Sequence, residues 1–370
     1  MNISKRNTAL DITRIVAMFS VVAIHFSLNT GYYDEPMLEQ PMILFTILRT
    51  AFIYCVPLFI LLSGYLLNHK TLSVKYYSGI TKTLGIYVLS AISCIVFKSI
   101  PSDKPLTFQE LLFGILDFSG ANYAWYIEMY IGLFLLIPFL NLIYHGLQGK
   151  GQKKVLIFTL ISLTSLPTVL NIFNFSVPRW FLTPYLSREY QPLVPDWWVG
   201  IYPITYYMLG AYLKEFPLKL KKRYLFLLYS VAVVIFGCFN FYRDYGGYFS
   251  WGSYADWFGM QALILSVLMF SFLSKLKTDR YPSIIKKIFA HLSDLCLGAY
   301  LMSYIADTVC YAILRKNVPL VTDRMQYFIP TVLLVGVASL LMSQILNWIY
   351  KGIEFLVKQI IHLIKKKQSI

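Results

Sequence analysis

The chain has 370 residues, of which 57% are hydrophobic and only 14% charged, and its mean hydropathy is +0.59. This composition excludes an ordinary soluble domain and is typical of a polytopic helical membrane protein. The net charge of +15 indicates basic loops and contact with anionic membrane lipid rather than with nucleic acid. The five cysteines lack metal-ligand spacing, so they are interpreted as packing residues and no metal site is predicted.

About ten apolar segments are long enough to cross a bilayer. They are 9–29, 42–67, 84–100, 124–144, 155–175, 197–213, 224–242, 255–274, 290–314 and 328–350. The short run 110–118 is predicted to be re-entrant or interfacial. The predicted fold class is therefore all-α, with a membrane-embedded domain over 1–350 and a basic tail over 351–370.

The distribution of Lys and Arg predicts the orientation. With an even number of spans both termini share one side, and that side collects about 23 basic residues against about eight on the other. Both termini are thus expected in the cytoplasm of a multi-pass protein of the cell membrane, in the first place a bacterial cytoplasmic membrane. The tail is predicted to be either an interfacial amphipathic helix or a solvated basic segment.

The first span carries three ionisable residues, Asp11, Arg14 and His25. Such groups inside a span are expensive and indicate function. Arg14 and His25 are eleven residues apart, which places them on one helix face with about 16 Å of rise between them. Asp11 lies one turn before Arg14 and is predicted to pair with it. The structural alternative is an arginine that snorkels to the interface and a histidine bonded to a neighbouring helix.

This pattern predicts a long ligand whose cytoplasmic end is negative. Arg14 would grip phosphate through its two-pronged guanidinium, and acyl-CoA is the obvious such molecule. The other histidines lie at span ends or in the tail; they are His69, His145, His291 and His362. His25 is therefore the candidate general base, taking the proton of an attacking hydroxyl and passing it to the leaving thiolate. No Ser–His–Asp or Cys–His motif is evident, so direct transfer is expected.

Arg, ten residues and then His in the first span is a pattern that resembles the membrane acyltransferase-3 family. Further stretches follow in the family's order: 57–67 (PLFILLSGYLL), 75–87 (KYYSGITKTLGIY), 124–138 (AWYIEMYIGLFLLIP) and 292–302 (LSDLCLGAYLM). The similarity covers nearly the whole chain. Three positions depart from the family's pattern: Lys82 replaces an arginine, Tyr123 stands near Trp125 where the family has a histidine, and Ser303 replaces a late histidine.

The resemblance implies an O-acyltransferase that moves an acyl group, usually acetyl, from cytoplasmic acetyl-CoA or another acyl-CoA to a hydroxyl of an extracytoplasmic glycan or secreted glycoside. The donor-binding residues are expected to be Asp11, Arg14, Ser63, Lys82 and Tyr300. An appended esterase-like domain, which many relatives carry, is not expected in this chain. It is expected to modify the acceptor itself or to pass the acyl group to a separate extracytoplasmic protein.

Three aromatic or acidic residues of the fourth span have two interpretations each. Glu128, expected to be buried, would act in catalysis by orienting an imidazole or the acceptor hydroxyl, or would pair with Arg49. Trp125 and Tyr126 would stack on acceptor sugars or belong to the outer aromatic belt. Asp307 is a further buried carboxylate to which no role is assigned.

The alternative function is a transporter or flippase for a glycan or lipid-linked sugar, which basic loops and intramembrane charges also suit. The absence of repeated halves and the one-face placement of Arg14 and His25 favour the enzyme. A catalytically silent relative that acts in glycan export is a third possibility, kept open by Ser303.

Overall fold

The computed structural model describes residues 6–101, 105–186 and 192–368, with side chains as far as residue 364. Over these ranges the protein is all-α, as predicted, and no strand forms within them. The helices are α1 (Thr8–Asn29), α2 (Gln40–Phe52), α3 (Cys55–Leu67), α4 (Val74–Tyr77), α5 (Thr81–Ser99), α6 (Phe108–Leu116), α7 (Trp125–Gly146), α8 (Gly149–Thr164), α9 (Pro167–Leu170), α10 (Tyr202–Glu215), α11 (Lys222–Asp244), α12 (Met260–Leu273), α13 (Ser283–Asn317), α14 (Val321–Arg324) and α15 (Phe328–Gln368).

Eight helical segments of the described chain are long and apolar enough to cross a membrane: Thr8–Asp34, Gln40–Leu67, Val74–Ser99, Trp125–Gly146, Lys222–Asp244, Ser253–Leu273, Ser283–Asn317 and Val321–Ile364. They make this a multi-pass membrane protein. The predicted spans 155–175 and 197–213 form α8 with α9, and α10, which are shorter than 18 residues. The number of ten spans and the cytoplasmic position of both termini stay predictions.

Helix α1 is the central element. In its most apolar window 72% is buried inside the protein, the largest share among the eight segments. Apolar residues surround it on all sides, which is the pattern of a helix buried in a core, and the Asn7 side chain caps it by accepting from the Ala9 N–H. We call the side of the bundle where α1 begins the proximal face and the side where it ends the distal face.

The predicted span 42–67 is two helices rather than one. Helix α2 ends at Phe52 and α3 begins at Cys55. Pro57 lies in the first turn of α3, where it cannot donate to the carbonyl of Ile53 and its ring crowds that carbonyl. The break therefore follows from the proline, and it gives α3 a direction independent of α2.

Helices α3 and α10 pack backbone against backbone through two reciprocal glycines. A Cβ on Gly64 would lie 2.0 Å from the carbonyl oxygen of Tyr207, and one on Gly210 would lie 2.1 Å from that of Leu61. Only glycine fits either position, and small residues of this kind bring membrane helices together. Gly64 thus fixes α3 on α10, which leaves the adjacent Ser63 free to face a cavity.

Helix α15 passes through the predicted domain boundary at 350 without a break. Its 41 residues correspond to about 61 Å, roughly twice the hydrocarbon thickness of a bilayer. Its last part exposes a series of apolar side chains, among them Ile353, Leu356 and Ile360. The interfacial or solvated position of the tail stays a prediction, and its residues 369–370 lie outside the described residues.

Candidate active site

A charged vestibule opens beside the proximal end of α1. Its volume is about 490 Å³, and ten of the fifteen residues that line it are charged or polar. The charged residues that line it are Arg6, Asp11, Arg14, Lys82 and Asp294. Helices α1, α5, α13 and α15 all contribute to this wall. Three cations stand here against two carboxylates, and Arg6 is paired with both of them, so Arg14 and Lys82 are the cations left for a negatively charged ligand.

An inner cavity of about 270 Å³ continues from the vestibule towards the distal face. Four residues line both spaces, namely Arg14, Leu66, Thr83 and Leu297. The wall of the inner cavity is mainly apolar, and its polar side chains include Ser63, Tyr126, Tyr130 and Tyr300. Arg14 therefore stands at the junction of a charged space and an apolar one.

The guanidinium of Arg14 is held in place without being fully used. Its Nη1 donates to Ser293 Oγ at 2.5 Å, and the Asp11 carboxylate lies 3.6 Å away. Asp11 is engaged more closely by Arg6, whose Nη2 lies 2.7 Å from it and 2.9 Å from Asp294. The predicted Asp11–Arg14 pair thus forms, but the shorter ion pair of Asp11 is with Arg6. Arg14 keeps further N–H groups for a ligand in the junction.

The five residues predicted to bind the donor all line these two spaces. Asp11, Arg14 and Lys82 belong to the vestibule, and Ser63 and Tyr300 belong to the inner cavity together with Arg14. Lys82 is exposed, so its ammonium can reach a phosphate at the mouth. The arrangement agrees with the predicted grouping, while binding of a donor by these residues stays a prediction.

His25 forms a buried pair with a carboxylate that sequence reasoning left without a role. Its Nδ1 lies 2.9 Å from Asp307 Oδ2, and the Tyr123 hydroxyl donates to the same oxygen at 2.9 Å. The rings of His25 and Tyr123 are 4.0 Å apart between centroids. Because the carboxylate accepts at Nδ1, the neutral imidazole carries its proton there and presents Nε2 as a base. Burial is the main cause that raises the pKa of the Tyr123 phenol, and the nearby Asp307 carboxylate raises it further. The phenol therefore stays protonated and donates its hydrogen bond.

A layer of tyrosines separates His25 from the inner cavity. Val21, one turn before His25, lines the cavity, whereas in the described part of the chain His25 lines neither space. The Tyr300 hydroxyl donates to the Tyr123 carbonyl, and the Tyr126 ring packs edge-on against Tyr300 at 5.9 Å. Neither of the two spaces therefore reaches both Arg14 and His25, and a long ligand that touches both residues stays a prediction.

The interpretation of Glu128 as a buried residue is wrong. It lies in the first turn of α7 with its side chain exposed. Arg49 is not its partner, since Arg49 donates to the Tyr33 hydroxyl at 2.8 Å and to the Ala255 carbonyl at 3.1 Å. The carboxylate that contacts His25 is Asp307, and the catalytic role of Glu128 stays a prediction that its exposed position does not support.

The two aromatic residues predicted to bind the acceptor lie side by side, with ring centroids 6.2 Å apart, but they face different surroundings. Trp125 stacks on Trp257 near the distal face, with ring centroids 4.8 Å apart. Tyr126 instead lines the inner cavity beside Tyr130 and Tyr300. Consecutive residues at the start of a helix point about 100° apart, so one faces the distal surface while the other faces the cavity.

Sequence reasoning missed Asp307, Tyr123 and Ser293 as functional neighbours of the first span. One signal was present for Asp307: α1 and α13 begin on the same face, and Asp307 lies near the distal end of its span as His25 does of its own. Matching their depths would have paired them. Ser303, the residue in place of the family's late histidine, is buried and donates to the Tyr300 carbonyl within its own helix.

Together these features define a multi-pass helical membrane protein in which a charged vestibule leads through an apolar cavity towards a buried imidazole–carboxylate pair. The acyltransferase-3 family model, described as an acyltransferase domain, matches residues 7–348. The chain therefore belongs to this family, and the membership indicates membrane acyltransferase activity. No curated protein and no solved structure gives a significant match.

Proposed function

We propose that the protein transfers an acyl group, in the first place acetyl, from cytoplasmic acyl-CoA to a hydroxyl of an extracytoplasmic glycan or secreted glycoside. The observation that carries this proposal is the position of Arg14 between a charged and an apolar space, with the His25–Asp307 pair beyond the far end. The cell membrane of a bacterium is the proposed location.

The two spaces match the two halves of the donor. The phosphates would lie in the vestibule, where Arg14 offers a two-pronged donor and Lys82 a point charge. Arg6 is already shared by two carboxylates, so it supplies less free charge than Arg14 does. The uncharged pantetheine arm would follow the apolar wall of the inner cavity towards Tyr300. This order places the thioester at the end of the cavity that is nearer to His25.

Direct transfer then needs one base that changes into an acid. The acceptor hydroxyl oxygen attacks the thioester carbon while His25 Nε2 takes its proton. Asp307 stabilises the imidazolium that forms, because it already accepts the Nδ1 proton. The carbon–sulfur bond breaks, the imidazolium protonates the thiolate, and the products are the O-acyl glycan and free CoA.

The tyrosine layer has to open before this reaction occurs. Reacting atoms must approach to about 3–3.5 Å, which the rings of Tyr123, Tyr126 and Tyr300 prevent as they stand. The opening requires loss of the hydrogen bond from the Tyr300 hydroxyl to the Tyr123 carbonyl. Closure between turnovers would keep water from the thioester and prevent futile hydrolysis.

Vesicles loaded with acetyl-CoA test the proposal. With an external acceptor, the wild-type protein should release CoA thiol inside and place labelled acetyl on the acceptor outside. His25→Ala should insert normally and release none. Movement of the glycan across the vesicle wall without CoA release would identify a transporter and overturn the proposal.

A further inference from the structure

A continuous set of aromatic rings lies over the distal end of α1. The Trp125 and Trp257 rings stack at 4.8 Å with only 16° between their planes. The ring centroids of Trp251 and Trp257 are 6.2 Å apart, and those of Tyr33 and Trp251 are 4.8 Å apart. We call these four residues the distal aromatic cluster. Trp251 is 44% exposed and the other three are half-buried, so each keeps ring surface open.

A buried cation fixes the cluster from below. Arg49 is 1% exposed, and its guanidinium carbon lies 4.9 Å from the Trp251 ring and 4.4 Å from the Phe249 ring. It also donates to the Tyr33 hydroxyl at 2.8 Å. A desolvated guanidinium is strongly held by aromatic faces. Tyr33 and Trp251 are therefore fixed before any ligand arrives, which reduces the entropic cost of binding.

The cluster adjoins the His25 pair. Trp125 follows two residues after Tyr123, whose ring lies 4.0 Å from that of His25 between centroids. Tyr33 follows the end of α1, where the Asn29 amide donates to the His25 carbonyl. The loop that carries Trp251 is tied to the same region, since the Met37 N–H donates to the Gly247 carbonyl at 2.7 Å. Tyr33 and Trp125 thus belong to segments that adjoin His25 along the chain, and Trp251 and Trp257 are joined to them through ring contacts.

We propose that the distal aromatic cluster binds a neutral pyranose ring of the acceptor; this rests on the function proposed above. One face of a pyranose is a flat array of C–H groups, and aromatic side chains offer a matching flat and apolar surface. The hydroxyls project from the edge of the sugar, where they remain hydrated or point towards His25. Since Arg49 is buried beneath the rings, no exposed cation in the cluster calls for an acidic sugar.

Saturation-transfer NMR on the full-length protein in nanodiscs tests this site. The probes are methyl glycosides of glucose, galactose, N-acetylglucosamine and rhamnose. At least one should receive saturation at C–H protons of a single face. Trp251→Ala and Trp257→Ala should weaken its binding about tenfold, which corresponds to about 1.4 kcal/mol. Trp197→Ala is the matched control, because Trp197 is 92% exposed and lies outside the cluster.

The conservative variant Trp251→Phe covers the case in which the alanine variants do not fold. It keeps a flat ring, so it should bind more weakly than wild type but more strongly than any folded alanine variant. Unchanged sugar binding by Trp251→Ala, equal loss in Trp197→Ala, or no saturation of any probe would overturn the site. Binding of acetyl-CoA, measured on the same nanodiscs, reports separately on the proposed function and should be unaffected by the tryptophan variants.

Discussion

Replacement of Asp307 by asparagine is the sharpest perturbation of the proposed chemistry. The substitution keeps the size of the side chain but removes the charge that accepts from His25 Nδ1 and from the Tyr123 hydroxyl, each at 2.9 Å. The amide can also donate to Nδ1, which would move the imidazole proton to Nε2. An imidazole in that tautomer cannot accept the proton of an acceptor hydroxyl.

The magnitude follows from the roles that are lost. A positioned general base contributes about 10²- to 10⁴-fold to a rate. A buried histidine that has lost its carboxylate partner retains little of this rate contribution. We therefore expect kcat to fall about 10²- to 10⁴-fold in Asp307→Asn, or roughly 3–5.5 kcal/mol of barrier. The donor KM should change little, because Asp307 does not line either cavity in the described part of the chain.

The assay is CoA thiol release from vesicles under saturating donor, with insertion and thermal unfolding measured on the same preparation. Glu128→Gln is the matched control, since it makes the same chemical change at an exposed carboxylate. It should stay within about threefold of wild type. A folded Asp307→Asn protein that is also within about threefold of wild type would refute the role of the pair.

The remaining predictions concern the donor space and the packing of α3. Arg14→Ala should raise the Kd for acetyl-CoA by about tenfold or more, since a hydrogen bond to a charged group contributes about 1.5–3 kcal/mol, and equal weakening of acceptor binding in calorimetry would contradict this. Lys82→Arg should lower the same Kd by restoring two-pronged phosphate contact, and an unchanged or higher Kd would show that Lys82 lies away from phosphate. Gly64→Ala should destabilise the protein by about 1–3 kcal/mol through overpacking against α10, read as a lower Tm. Gly132→Ala, where a Cβ meets nothing within 4 Å, should leave the Tm unchanged or raise it.

The first span was the part of the site that the sequence could predict. A charged residue in an apolar run is costly, so Arg14 and His25 stood out before any coordinates. Ser63, Lys82 and Tyr300 followed from the family's motifs, and all three line the predicted space. Arg14 and His25 could be singled out because composition and helical periodicity are local properties of the chain, whereas donor binding by any of these residues stays a prediction.

The errors concern properties that are not local. Whether Glu128 faces the core or the exterior depends on the rotation of α7, which a span apolar on all sides does not specify. The pairing of His25 with Asp307 depends on the relative depth of two helices in the membrane. The two residues are 282 positions apart in the sequence. The separation of His25 from the inner cavity depends on where Tyr123 and Tyr300 meet, and spacing within one segment does not predict such a contact.

The central claim is that one acyl-CoA extends from Arg14 towards His25, and a cryo-EM structure with a non-hydrolysable acetyl-CoA analogue tests it most directly. The account predicts phosphate density within hydrogen-bond distance of Arg14 and the acetyl end beyond a displaced Tyr300, facing His25. Lipid chains in the inner cavity, or an analogue bound outside both spaces, would contradict it.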